Sequence, residues 1–208
     1  MTRNPICIQP QTPVCDAARL MADNAIRRLP VVVSAQSDGL TLLGMLSATD
    51  LYRAYPADCN PFAANVPVIS TTAEQVMSRT VLTTTPETPI EDAATLMRDR
   101  KIGALPVMRA NRLIGLITES DIFRAFISIL KADAGATRIT FSISKDEDLF
   151  QLLADHARNG HVQLLSLMVS SKDGQSVCVA RVVGEGAEKL IDDLWGSGHQ
   201  VVNVLKGH

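Results

Sequence analysis

The apolar positions of this chain switch between a period near 3.6 and a period of two, and the switches mark its elements. Over residues 90–100, Ala93, Leu96 and Met97 recur at i, i+3 and i+4, the stripe of an amphipathic helix. Ahead of it, Thr88-Pro89-Ile90-Glu91 offers an N-cap hydroxyl, a proline at the first helical position and a glutamate at the third, which predicts a capping box. Val81–Thr84 predicts a short β-branched strand ending before Pro86. Leu105–Met108 and Leu113–Ile117 read as strands joined at Ala110-Asn111, since asparagine tolerates the left-handed region. Asp121–Ile129 closes the unit as a helix. The same order of strand, helix, strand, strand, helix fits the preceding stretch, with Asp38-Gly39 as a hairpin turn between Val31–Val33 and Leu40–Leu46.

This echo is a duplication. Residues 1–31 align without a gap on 77–107 and share 15 identities, among them Met1/Met77, Pro10/Pro86, Asp16/Asp92, Leu29/Leu105 and Val31/Val107. Residues 44–54 then align on 115–125, pairing Gly44 with Gly115, Ser47 with Thr118 and Asp50 with Asp121. The offset falls from 76 to 71, so the first copy carries five extra residues around Ser34–Thr41. A unit that buries one face of its sheet must pack against something, so the two copies are expected to pack together.

A third unit follows the polar, small-residue break at 131–135. Arg138–Ser144 alternates as a strand, and Asp146–Arg158 has the helical spacing of Leu149, Leu152 and Leu153, ended by Asn159-Gly160. His161–Ser170 and Ser176–Val183 form a hairpin across Lys172-Asp173-Gly174, Glu185–Trp195 is a second helix, and His199–Leu205 a last strand. The order β-α-β-β-α-β is the ferredoxin-like arrangement. The expected organisation is a first repeat at 1–55, a linker with Pro56, Pro61 and Pro67 at 56–72, a second repeat at 73–130 and the ferredoxin-like unit at 137–206. The fold class is mixed α/β.

Composition narrows what such a chain does. Twenty basic against 22 acidic residues give a net charge of −2, which argues against a surface that tracks a phosphate backbone, so no nucleic-acid partner is expected. Eight aromatic residues in 208 argue against gripping bases by stacking. No apolar run is long enough for a membrane span, and Met1–Pro5 does not open a signal peptide. Cys7, Cys15, Cys59 and Cys178 are scattered and read as reduced thiols, the first two buried and inert, in a cytoplasmic protein. No G-x-S-x-G, Walker loop or H-E-x-x-H occurs, and His156, His161 and His199 fall on separate elements, so no catalytic and no metal-ligating residue is expected. Met21 and Met97 belong to the core.

The positions that carry chemistry are Ser47 with Asp50 and Thr118 with Asp121, each where a strand runs into a helix. Such a pair can simply cap the helix. A helix start is also an anion site, where a hydroxyl can reach a phosphate and a carboxylate one turn on can accept both hydroxyls of a ribose. The order Met…Pro-x-Thr-Pro…Ala-Ala-x-x-Met…Leu-Pro-Val…Gly-x-x-Ser/Thr-x-x-Asp resembles the cystathionine-β-synthase-type (CBS) domain, twice over residues 1–127. The resemblance implies a pseudo-two-fold module whose cleft binds AMP, ADP, ATP or S-adenosylmethionine as a regulatory ligand, with no obligatory cofactor. It assigns phosphate to Ser47 and Thr118 and ribose to Asp50 and Asp121. Thr80, Val81, Gly103 and Ala104 would hold adenine in the site centred on Asp121. The first copy departs from the pattern, with Arg27-Arg28 where the second has Gly103-Ala104. Those long side chains would fill its adenine slot or reach phosphate. Arg53 and Arg124 are expected to be solvated helix residues.

The last unit resembles an ACT domain, an amino-acid-responsive module. Its first turn, Lys145-Asp146-Glu147-Asp148, has three carboxylates and no glycine, which favours dimerisation or signal relay over an amino-acid site. The whole order is similar to acetoin-utilisation-type regulators. The expectation is a non-catalytic sensor that forms a homodimer and reports its nucleotide to the ACT-like unit or a protein partner. The alternatives are a structural protein whose motifs only cap helices, an amino-acid-responsive regulator, and an enzyme subunit.

Overall fold

The computed structural model describes residues 1–35, 39–63, 67–130, 135–144, 151, 153–154, 162–172 and 175–207. Its elements run β1 (Thr2–Arg3), α1 (Val14–Asp23), β2 (Arg28–Ala35), β3 (Gly39–Ser47), α2 (Ala48–Ala54), α3 (Ala73–Val76), α4 (Ile90–Arg100), β4 (Ala104–Arg109), β5 (Arg112–Thr118), α5 (Glu119–Leu130), β6 (Thr137–Ile143), β7 (Gln163–Lys172), β8 (Gln175–Val183), α6 (Ala187–Gly196) and β9 (Val201–Lys206). Two compact units divide the chain, Met1–Arg124 and Ala125–His208.

In the first unit the duplication is visible in the backbone. β2 pairs antiparallel with β3 and β4 with β5, and each hairpin carries a bulge at the same place, between Val31 and Val32 and between Val107 and Met108. The turn at Ala110-Asn111 holds both residues at positive φ, 48° and 61°, the geometry that suits the twist of a two-residue hairpin. The first hairpin is the longer, as the five extra residues require, although Asp38 of its tip lies outside the described residues. Fully buried Leu29, Val31, Leu46 and Leu51 pack with α1 residues Val14, Ala17 and Met21 in one core. Leu105, Met97 and Ala93 form the equivalent core of the second repeat. Burying each of these leucines contributes about 1.5–3 kcal/mol.

Two local expectations fail. Helix α4 starts on Pro89 with no side-chain cap, because the Thr88 hydroxyl instead accepts from the Thr85 amide at 3.2 Å and closes the preceding turn. Thr12 does the same for Gln9 at 3.1 Å. Val81, Leu82 and Thr83 carry no regular structure, and only Thr84 bridges, to Val107. Ile8 makes the matching bridge to Val31.

The repeats exchange their leading segments. Thr2 and Arg3 of the first copy pair with Leu116 and Gly115 of the second, and Ser78 of the second exchanges both backbone hydrogen bonds with Met45 of the first, each 2.9 Å. Ala73 of helix α3 and Met77, which follows it just ahead of Ser78, pack on the core of the first repeat. The exchange explains the paired glycines. A Cβ on Gly44 would lie 2.9 Å from the Ser78 carbonyl and also meet Met77, and one on Gly115 would lie 3.0 Å from the Thr2 carbonyl.

The second unit is a four-stranded antiparallel sheet ordered β7-β8-β6-β9, the ferredoxin-like order. Phe141, Ile139, Cys178 and Ala180 cover one face of it and pack with Leu190 and Leu194 of α6. Gln151, Leu153 and Ala154 are helical, and Leu153 is buried in the same core. The rest of the expected 146–158 helix, the 145–148 turn, His156, His161, Asn159-Gly160 and the Asp173-Gly174 turn lie outside the described residues. His199 is buried, 2.9 Å from the Ser197 hydroxyl and edge-on to Phe141, so it serves the core of this unit.

Candidate functional site

Strand β3 ends at Ser47 and strand β5 at Thr118, and each hands over to a helix with no loop between. Asp50 Oδ2 accepts from the Ser47 amide at 2.8 Å and the Ser47 hydroxyl at 2.6 Å, while the Asp50 amide donates to Ser47 Oγ at 3.2 Å. Thr118 and Asp121 repeat the pattern at 3.0, 2.8 and 3.2 Å. Both pairs are therefore complete capping boxes, and any ligand would meet a motif already ordered by its own helix. The second carboxylate oxygens differ. Oδ1 of Asp121 is held by Arg124 at 3.0 Å, whereas Arg53 stands 3.9 Å from Oδ1 of Asp50. Both arginines are exposed along most of their length, as expected, yet each also borders a cavity.

The first cavity, about 310 Å³, has Ser47, Thr49 and Asp50 on one side. Thr80, Val81, Gly103 and Ala104 form the other, with Arg28, Arg53 and Lys101 at its edges. The structure thus regroups the expected residues. The set read as the adenine wall of the Asp121 site faces Asp50 instead, because the segment before Thr80 has crossed to the first repeat. Sequence alignment of the copies shows which positions correspond but not which copy faces which.

A second cavity of about 280 Å³ is its counterpart under the repeat symmetry. Thr118, Ser120 and Arg124 of the second repeat face Thr2, Pro5, Ile6 and Ile26 of the first. Arg27 and Arg28 stand where the first cavity has Gly103 and Ala104, Ala25 stands where it has Lys101, and Glu119 lines the second cavity although its equivalent, Ala48, does not line the first. Asp121 is not on this wall. Sequence reasoning passed over Met45, Ser78 and Lys101 in one cavity and Thr2, Pro5 and Ile6 in the other; of these, only Pro5 follows from applying the offset of 76 to Val81 in reverse. Both volumes lie near the lower end of the range for small-ligand pockets, about 300–1,000 Å³. A wider depression of about 480 Å³ lies along α4 alone, with no opposing wall to close on a ligand.

Arg28 borders both cavities. Burial and its neighbour Arg27 lower its pKa, and Glu119 acts in the opposite direction. Among the described residues no group of three His, Cys, Asp or Glu side chains stands at metal-binding distance, and no helix is long and apolar enough to cross a membrane. Burial pushes the Cys7 thiol up to about 11 and Cys178 to about 12.

A CBS-domain family model matches residues 1–57 and 73–128. An uncharacterized protein of Methanocaldococcus jannaschii is 35% identical over 131 residues, 61% of this chain and 45% of that protein. The homoserine O-acetyltransferase of Methanococcoides burtonii is 34% identical over 125 residues, but the shared stretch is 22% of its length against 60% of this chain. The chain therefore spans less than half of these relatives. Among solved structures, a Vibrio cholerae protein assigned to acetoin utilization superposes with a TM-score of 0.52 at 32% identity, covering 62% of this chain and 88% of that one. CBSX2 in complex with AMP gives 0.50 at 27%, covering 63% and 95%. A CBS domain pair in complex with 5′-methylthioadenosine and S-adenosyl-L-methionine gives 0.50 at 26%, covering 62% and 92%.

Proposed function

The chain belongs to the CBS-domain family, and on that premise we propose that it is a non-catalytic regulatory sensor of an adenosine-containing ligand. One observation carries the reading: Ser47 and Asp50 of one repeat converge with Thr80, Val81, Gly103 and Ala104 of the other on a single cavity. The helix-start amides and Ser47 suit a phosphate, Asp50 the ribose hydroxyls, and the small apolar and backbone wall the purine. Arg28, Arg53 and Lys101 give the cavity more positive than negative charge, which suits AMP, ADP or ATP. The solved relatives carrying AMP, or 5′-methylthioadenosine and S-adenosyl-L-methionine, support the same ligand class. The relatives named as enzymes share with this chain only a minor part of their length, which fits a regulatory role for the shared part.

Thr118 lines the second cavity of the module, and Asp121 stands behind it through its cap. The ligand acts by favouring one arrangement of the two repeats, which requires different affinity for two states. The ferredoxin-like unit, read as ACT-like, passes the change to a protein partner in the cytoplasm. A homodimer is supported by exposed Tyr52 and Phe123, which occupy equivalent positions of the two repeats. The capping boxes favour a second reading, in which the motifs serve helix starts alone. Thermal shift and calorimetry with AMP, ADP, ATP and S-adenosylmethionine separate the two. A ligand at 100 times its Kd stabilises by about 2.7 kcal/mol. If none of the four shifts the transition or releases heat, the sensor reading is wrong and the capping reading stands.

A further inference from the structure

The repeat symmetry relates the walls of the two cavities almost residue for residue, and it breaks where charge enters. Arg28 replaces the alanine found at 104, and Glu119 replaces the alanine found at 48. Both replacements meet at Gly103. A Cβ placed there would fall against Nη2 of Arg28 and 2.7 Å from Oε2 of Glu119, so guanidinium and carboxylate converge over a bare Cα. Arg28 borders both cavities, while Glu119 borders only the Thr118 cavity. Space does not distinguish the two, since their volumes are about 310 and 280 Å³.

Building on the nucleotide reading, we propose that Arg28 couples the cavities, so that a phosphate-bearing adenosine ligand in the Asp50 cavity disfavours a second in the Thr118 cavity. One guanidinium cannot serve two phosphates. Once Arg28 turns to a phosphate beside Asp50, Glu119 loses the guanidinium that shares its place over Gly103, and an incoming anion meets that carboxylate in the Thr118 cavity. An uncharged adenosine ligand makes no such demand and fills both cavities independently. The coupling is electrostatic and reciprocal, of the size usual between linked sites, about five- to 150-fold in affinity.

Calorimetry on the full chain, with AMP and with uncharged 5′-methylthioadenosine, tests this. For the wild type, the second AMP binds at least about tenfold more weakly than the first, whereas methylthioadenosine binds twice with equal affinity. Glu119→Gln strengthens the second AMP event about tenfold and the first by less, so that the gap between the two events narrows. Two equal AMP events in the wild type, or a second event unmoved by Glu119→Gln, overturn the coupling and leave the sensor reading intact. A single methylthioadenosine event also overturns it, because the asymmetry would then be steric. If neither ligand binds, the nucleotide reading itself falls and the coupling with it.

Discussion

Asp50→Asn and Asp121→Asn are chemically the same substitution at equivalent positions, and they should part company in one measurement only. Each carboxylate takes an amide and a hydroxyl hydrogen bond from its own cap, at 2.8 and 2.6 Å for Asp50 and at 3.0 and 2.8 Å for Asp121. Neutralising either weakens a cap and removes a favourable charge from a helix start, together about 1–2 kcal/mol. Urea unfolding should therefore show similar losses for both variants. Ligand affinity should not. Asp50 shares its cavity with Thr80, Val81, Gly103 and Ala104, and its second oxygen is 3.9 Å from Arg53. Asp121 lies off the wall of its cavity, with its second oxygen held by Arg124 at 3.0 Å. Hydrogen bonds to a charged group contribute about 1.5–3 kcal/mol each, so Asp50→Asn should weaken the tighter AMP event about tenfold or more. Asp121→Asn should leave that event within about twofold, since it forfeits no contact there. Calorimetry below the unfolding transition reads both. If Asp121→Asn weakens the tight event and Asp50→Asn does not, the Asp50 cavity is not the one the nucleotide uses.

Three further outcomes follow from packing and titration. Gly44→Ala pushes a methyl group toward the Ser78 carbonyl and Met77 and should cost about 1–3 kcal/mol by urea unfolding, more than Gly115→Ala, whose nearest neighbours are 3.0 and 3.1 Å away; equal costs would refute the exchange as the reason for these glycines. Phe141→Ala empties the centre of the second unit and should cost that unit about 3–5 kcal/mol, read as faster proteolysis within 125–208. The Cys7 and Cys178 thiols are raised from 9.0 to about 11 and about 12, so the folded chain keeps protons that the unfolded chain releases. Stability is then undiminished below 9.0 and falls as the pH rises above it, and a double Cys7→Ala, Cys178→Ala variant should flatten that fall in urea titrations; an unchanged slope would show that these thiols do not set it.

What the sequence reveals here depends on distance along the chain. The hairpins, their equivalent bulges and the Ala110-Asn111 turn follow from patterns a few residues long, and so does each capping box. Thr88 misleads for a local reason: its hydroxyl has two amide clients, and the turn at Thr85 wins over the helix start. The expected strand at 81–84 fails because β-branched residues favour extended chain whether or not a partner strand runs alongside. The grouping of Thr80 with Asp50 could not be read at all, since it depends on which copy receives the crossing segment. Gly44 and Gly115 were the one local sign of it, glycines in mid-strand where a foreign backbone comes close.

The exchange also bears on why a sensor would need both copies. Each cavity takes its helix start from one repeat and its opposing wall from the other, so a single repeat holds half of two sites and the whole of neither. A ligand bound in either cavity therefore contacts both repeats and stabilises only those arrangements that keep its two walls at the right separation. Duplication further frees the sites to diverge, because a change in one wall leaves the equivalent wall intact. Arg27, Arg28 and Glu119 are such changes on the Thr118 cavity, Arg28 lining the other as well, and Lys101, the equivalent of Ala25, is one on the Asp50 cavity. The Asp50 cavity keeps the small, apolar wall that suits a purine. The Thr118 cavity has traded that wall for charge, and because Arg28 reaches into both, the second cavity responds to what occupies the first.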